Sequence, residues 1–166
     1  MAKPLSTSAR RVQDALNAAG ISTSIVEHDV PARTSAQAAE VLDCAVGQIA
    51  KSLVFRAASG APVLVIASGA NRVDEAKVSA LIGESIGRAD AAFVRERTGY
   101  AIGGIPPLGH ASALTTLIDR ELLRFDTVYA AGGTPHAMFR LSPADLVRVT
   151  AGTVVDIALF APQGDL

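Results

Sequence analysis

Apolar positions along the chain fall into short runs between turn residues, and their period switches repeatedly between helical and extended. The first run, residues 6–19, puts Val12, Leu16 and Ala19 on one helical face, with Ser and Thr to cap its start and Gly20 to close it. Residues 24–28 read as a short strand. Residues 31–35 read as a turn, and Thr34 or Ser35 caps a second helix over 36–42. After Gly47, residues 48–56 lead into a strand, 59–62 form a hairpin loop, and 63–67 return as a second strand. Asn71 or Asp74 starts a third helix that runs to Leu81. Asp90 caps a fourth over 91–97, ended by Gly99. Strand-like runs follow at 113–119, 127–131 and 137–141. Pro143, at a first helical position, then opens a last helix over 144–149.

Strands and short helices are thus interleaved, several strands are hairpin-connected, and no repeat of long period is present. The expected class is α+β (mixed α/β), a curved, barrel-like mixed sheet flanked by short helices. No linker divides the chain, so residues 1–166 read as a single domain. Composition narrows the function classes. With 49% hydrophobic and 19% charged residues, the chain buries enough surface to oppose disorder. A formal charge of −1 excludes a polybasic binder driven by its overall field. The lone cysteine, Cys44, excludes an internal disulfide framework and reads as a small buried hydrophobe. The N-terminus shows no apolar leader core. A 21-residue uncharged stretch from Thr98 to Ile118 contains Pro106, Pro107 and four glycines, which a lipid-exposed helix does not accommodate. The expected location is cytoplasmic, with no membrane association.

Among only three lysines, Lys51 stands in an apolar strand. Period-two alternation puts it on the face of Leu53 and Phe55, with Ser52 and Val54 on the other. A lysine there either lays its stem over apolar surface or meets an acceptor, which would set an ammonium in a cleft to hold a substrate oxygen. The segment Gly99 to His110 is dense in glycine and proline and free of charge, a loop suited to presenting backbone groups to a ligand. No Gly-Lys-Ser/Thr follows it, so it is not a phosphate loop. The Gly132-Gly133 turn reads first as a plain hairpin. If it folds back beside Lys51, Thr134 or His136 lines the same pocket. His28, His110 and His136 lack metal-ligand spacing, and no serine-hydrolase elbow is present, so neither a metal nor another cofactor is expected.

Several segments match a known pattern in order: Gln48 through Phe55, Val63 to Ile66, Val73 to Lys77, Thr98 to Tyr100, Gly103 through Gly109, Ile118-Asp119, Ala131 to Gly133, and Leu141 to Leu146. Together they resemble the YbaK/ProX family of free-standing aminoacyl-tRNA deacylases, related to the editing domain inserted in bacterial prolyl-tRNA synthetases. The resemblance spans roughly residues 20–160.

It implies a trans-editing hydrolase that clears mischarged tRNA, typically tRNA for proline. The family's central lysine maps onto Lys51, and its Gly-x-x-x-Pro loop onto Gly103 to Pro107. Lys51, Gly103 and Gly104 are therefore the expected catalytic set. Ser52, Ile105, Pro106, Pro107, Thr134 and His136 are the expected substrate-binding set. Alanine-clearing members commonly carry Asn after the lysine; Ser52 departs from that. The implied substrates are esters of Ala, Ser, Cys or Thr, and the implied partners are the acceptor end of aminoacyl-tRNA and prolyl-tRNA synthetase. The expected state is a monomer or weak homodimer. An aminoacyl ester is already activated, so positioning a water and stabilising an oxyanion suffice without a triad. Two other classes remain open from sequence: a non-catalytic module that grips a tRNA end or a synthetase, and a Schiff-base lyase built on Lys51.

Overall fold

The computed structural model describes residues 4–159. Helices α1 (Thr7–Ala18), α2 (Ser35–Leu42), α3 (Glu75–Ile82), α4 (Ala91–Thr98) and α5 (Pro143–Thr150) start where short polar side chains satisfy the first free N–H groups. Ser6, Thr34, Asp74, Asp90 and Ser142 each accept such a bond. Of the alternatives left by the sequence, Thr34 caps α2 and Asp74 caps α3.

Eight strands form one mixed sheet: β1 (Val26–Glu27), β2 (Ile49–Ala57), β3 (Pro62–Ser68), β4 (Ile86–Arg88), β5 (Thr115–Asp119), β6 (Val128–Ala131), β7 (Ala137–Leu141) and β8 (Thr153–Val155). Their order is β1-β7-β6-β2-β3-β5-β8, with β4 on β2. Hairpins give the antiparallel pairs β2–β3 and β6–β7, while β2–β6, β3–β5 and β5–β8 run parallel. Most expected strands are present within a residue or two. The run at 24–28 shortens to two residues, and β4 and β8 were not anticipated.

Both faces of β3 are buried, so the strand reads as an unbroken apolar run rather than an alternation. Leu64 and Ile66 join Val12 and Leu16 of α1 and Leu146 of α5 in the main core. Val63, Val65 and Ala67 join Val78 of α3 and Leu117 in a second core on the opposite face. A smaller cluster seats α2 through Ala38 and Ala39 against Ile49 and Met138. No helix among the described residues is long and apolar enough to cross a membrane.

Candidate active site

The site starts from a gap in the sheet. β2 is paired to β3 from Ala50 to Arg56. Along its other edge it meets β6 only at Ile49 and Ala50, and β4 only from Phe55 onward. Residues 51–54 therefore have no strand partner on that side. The Ile49 carbonyl accepts from Gly69 N–H and the Ala57 N–H donates to Ala61, both on the β3 side. Alternation then turns the backbone N–H and C=O of Ser52 and Val54 into the gap.

A cavity of about 360 Å³ occupies this gap. Lys51, Ser52 and Leu53 form one wall, and Ile102, Gly103 and Ile105 from the glycine-proline loop form another. The start of α2 supplies Thr34, Ser35 and Ala38, and Met138 stands at the back. Among the described residues, the charged ones that line it are Arg33 and Lys51, both cationic, and no carboxylate does. The cavity suits a ligand with negative charge or with oxygens that gain charge during reaction.

Lys51 shares the second-core face with its cross-strand partner Ala67, as the alternation required. It is half-buried at the end of that face, and its ammonium donates to the Asn71 carbonyl at 2.7 Å. Asn71 is held in turn. Its side-chain amide donates to Asp119 Oδ2 at 2.9 Å, and the Ser68 N–H donates to the same oxygen at 3.0 Å. Asp119 is 1% exposed, and its other oxygen accepts the Glu121 N–H at 3.0 Å. Burial pushes the Lys51 ammonium below its ordinary pKa, Asp119 pulls it back up, and Arg72 lowers it further. An ammonium has three N–H donors, so one bond to Asn71 leaves two for a ligand.

Ser52 belongs to the main-core side. Its Oγ is buried and has no hydrogen-bond partner among the described residues. A buried hydroxyl without a partner costs stability, which singles it out within the cavity wall.

The structure brings Lys51, Ser52, Gly103 and Ile105 to one cavity and puts the other expected residues behind its wall. Gly104 is buried, and its N–H donates to the Ala101 carbonyl at 3.1 Å. A Cβ there would lie 2.6 Å from Thr134 Cα, so only glycine allows the loop to seat on the β6–β7 turn. Thr134 thus supports the loop from below. Gly103 has φ +99°, a left-handed conformation that favours glycine, and turns the chain toward the cavity.

The Pro106 carbonyl accepts from His110 Nε2 at 2.7 Å, which fixes the Nε2–H tautomer, and Pro107 borders a separate depression. Burial lowers the His110 pKa, partly offset by the bond to Pro106. His136 turns away from the cavity and bonds the His28 carbonyl through Nδ1 at 3.0 Å, while the His28 N–H donates back to the His136 carbonyl. Sequence reasoning gives no site role to Asn71, read only as a possible helix start, or to Asp119, Arg33 or Met138. Asp119 had two visible signals, its place in the matching Ile118-Asp119 segment and its position as the carboxylate that closes an otherwise uncharged run.

The pattern of the family described as "Aminoacyl-tRNA editing domain" matches residues 29–149. The protein YwhH of Bacillus subtilis (strain 168), itself uncharacterised, is 33% identical over 122 residues, covering 74% of this chain and 78% of that one. A crystal structure of a proposed trans-editing enzyme for prolyl tRNA synthetase superposes with a TM-score of 0.90 at 44% identity, covering 95% of this chain and 100% of the other. The crystal structure of hypothetical protein APE2540 gives a TM-score of 0.83 at 31% identity, over 90% of this chain and 99% of that one. The gap beside β2, walled by a lysine and a glycine-proline loop, thus lies within residues that carry the family's pattern, and the chain belongs to the aminoacyl-tRNA editing domain family.

Proposed function

We propose that this chain is a trans-acting deacylase that hydrolyses the ester of small amino acids mischarged on tRNA, with tRNA for proline as the preferred carrier. The observation that carries the reading is the convergence of Lys51 and Ser52 with Gly103 and Ile105 on one cavity that no carboxylate lines. An aminoacyl ester needs no strong nucleophile. Water adds to the carbonyl carbon, the bond from that carbon to the ribose oxygen breaks, and the ribose oxygen takes a proton as the acid leaves.

Lys51 supplies the positive charge for the carbonyl oxygen as it becomes an oxyanion. Its bond to Asn71 aims the ammonium before substrate arrives, so little reorganisation is needed during the reaction. Gly103 and Ile105 shape the opposite wall, and the open edge of β2 at Ser52 offers an N–H and a C=O to orient the ester. The tRNA's own 2′-OH is the proton carrier in this scheme, since among the described residues no carboxylate or histidine lines the cavity and Lys51 is assigned to the oxyanion.

Selectivity follows from volume and from one hydroxyl. Ile105, Ala38 and Met138 give an apolar surround that leaves room for a small side chain and excludes a large one. The buried Ser52 Oγ gives that surround a polar point, which favours Ser and Thr esters beside Ala. Gly104, Pro106, Pro107, Thr134 and His136 act by holding the loop and turn rather than by touching substrate. A deacylation panel of Ala-, Ser-, Cys-, Thr- and Pro-tRNA for proline tests the reading. Release of the small amino acids with Pro-tRNA spared supports it, and no release from any of them refutes it.

A further inference from the structure

Arg56 and Arg97 are far apart in sequence and meet on one aromatic ring. Each guanidinium carbon lies 5.0 Å from the centroid of Phe93, which is itself 7% exposed. Arg56 comes from β2 and Arg97 from the last turn of α4. Among the described residues Arg56 makes no ion pair. Arg97 has only its chain neighbour Glu96 at 3.6 Å, an exposed contact that water and salt screen. Two like charges thus contact one ring, and among the described residues Glu96 is the one carboxylate paired with either of them. Such an arrangement is unfavourable alone and is relieved by a bound polyanion.

Their placement relates the pair to the cavity. Arg56 stands three residues beyond Leu53 on β2, about 10 Å along the strand from the cavity wall. Arg97 leads through Gly99 into Ile102, which is 57% exposed on the opposite wall. Arg11 adds a third cation on this side, donating to the Gly99 carbonyl at 2.8 Å and lying 4.6 Å from the Tyr100 ring centroid. Both chain segments that frame the gap in the sheet therefore lead to arginines that lie over aromatic rings.

We propose that Arg56 and Arg97, stacked on Phe93, bind phosphodiester groups of the RNA strand whose aminoacylated 3′ end enters the cavity. Guanidinium groups grip phosphate through paired N–H donors, and a ring beneath them fixes their plane. The pair lets a chain of net charge −1 hold a polyanion, because the positive charge is concentrated beside the entrance. The proposal rests on the deacylase reading for the identity of the strand.

The test compares two substrates and a salt series. The double variant Arg56→Gln/Arg97→Gln is measured on aminoacyl-tRNA and on aminoacyl-adenosine, which carries no phosphodiester. The expected result is roughly a tenfold loss of tRNA affinity near 0.1 M salt, and a log affinity against log salt slope shallower by about 1.5. KM for aminoacyl-tRNA rises in step, kcat holds, and aminoacyl-adenosine turnover is unchanged. Each single variant gives about half the change in slope, and Arg56→Lys/Arg97→Lys, which keeps both charges, stays close to the wild-type slope. Unchanged affinity and slope overturn the proposal, as does an equal loss on both substrates. An arginine-dependent slope without any hydrolysis by the wild type sinks the deacylase reading and leaves this RNA surface standing. Hydrolysis with an unchanged slope does the reverse.

Discussion

The Lys51 ammonium is tied to the Asn71 backbone carbonyl at 2.7 Å, and Asn71 is tied through its side chain to the buried carboxylate of Asp119. The cation of the site is therefore aimed by an anion that does not itself line the cavity. Asp119 reaches Lys51 in two ways: through the bonds that fix Asn71, and through its field, which opposes the desolvation that lowers the lysine's pKa.

Asp119→Asn tests that link. Loss of the carboxylate lets the Lys51 pKa fall further, so the protonated fraction is lost at lower pH. The alkaline limb of the kcat profile shifts to lower pH in Asp119→Asn. Arg72→Gln, which removes the opposing cation, shifts it to higher pH. Identical limbs in all three proteins contradict the coupling.

Ser52 separates stability from selectivity. Its hydroxyl is buried without a partner, so Ser52→Ala leaves stability unchanged or raises it by up to about 1 kcal/mol in denaturant melts. The same change lowers hydrolysis of Ser- and Thr-esters relative to the Ala-ester by roughly tenfold. A clear loss of stability would mean that the hydroxyl is satisfied within the fold.

Gly104 is tested by a single methyl group. A Cβ at that position meets backbone atoms of Thr134 at 2.6 to 2.8 Å, and backbone cannot swing aside as a side chain can. Gly104→Ala costs about 2 kcal/mol in thermal melts and lowers activity by displacing Gly103 and Ile105. At Gly103 the nearest atom to an added Cβ is Pro135 Cγ at 3.6 Å, so Gly103→Ala meets backbone strain alone, about 1 kcal/mol.

Burial of His110 makes the fold acid-sensitive. Its folded pKa is lowered, so between that value and the ordinary value of about 6.5 the unfolded chain binds a proton that the folded chain does not. Stability therefore falls as pH drops through that window. His110→Gln flattens the dependence, and urea midpoints measured from pH 7.5 to 5 read it directly.

The helix caps and the face of Lys51 were legible because each depends on a local rule. Thr34 or Ser35, Asn71 or Asp74, Asp90 and Pro143 announce helix starts, and strand alternation puts Lys51 beside Leu53 and Phe55. The three-residue strands β4 and β8 were not legible, being too short to show a period and formed by pairing with distant segments. Asn71 escaped for a different reason: it serves the lysine through its backbone carbonyl, a group every residue carries. The loop was found, but the division of labour within it was not. Whether Gly104 faces a ligand or Thr134 depends on how the β6–β7 turn docks, and Arg56 and Arg97 share a ring only after β2 and α4 pack.

The central claim is that the Lys51 ammonium stabilises the oxyanion of an aminoacyl ester. The most direct measurement is single-turnover hydrolysis of Ala- and Ser-tRNA for proline by the wild type and by Lys51→Ala. The expected result is release of both amino acids by the wild type and a rate lower by about 100-fold or more in Lys51→Ala, with tRNA affinity largely kept. Equal rates for the two proteins would contradict the account.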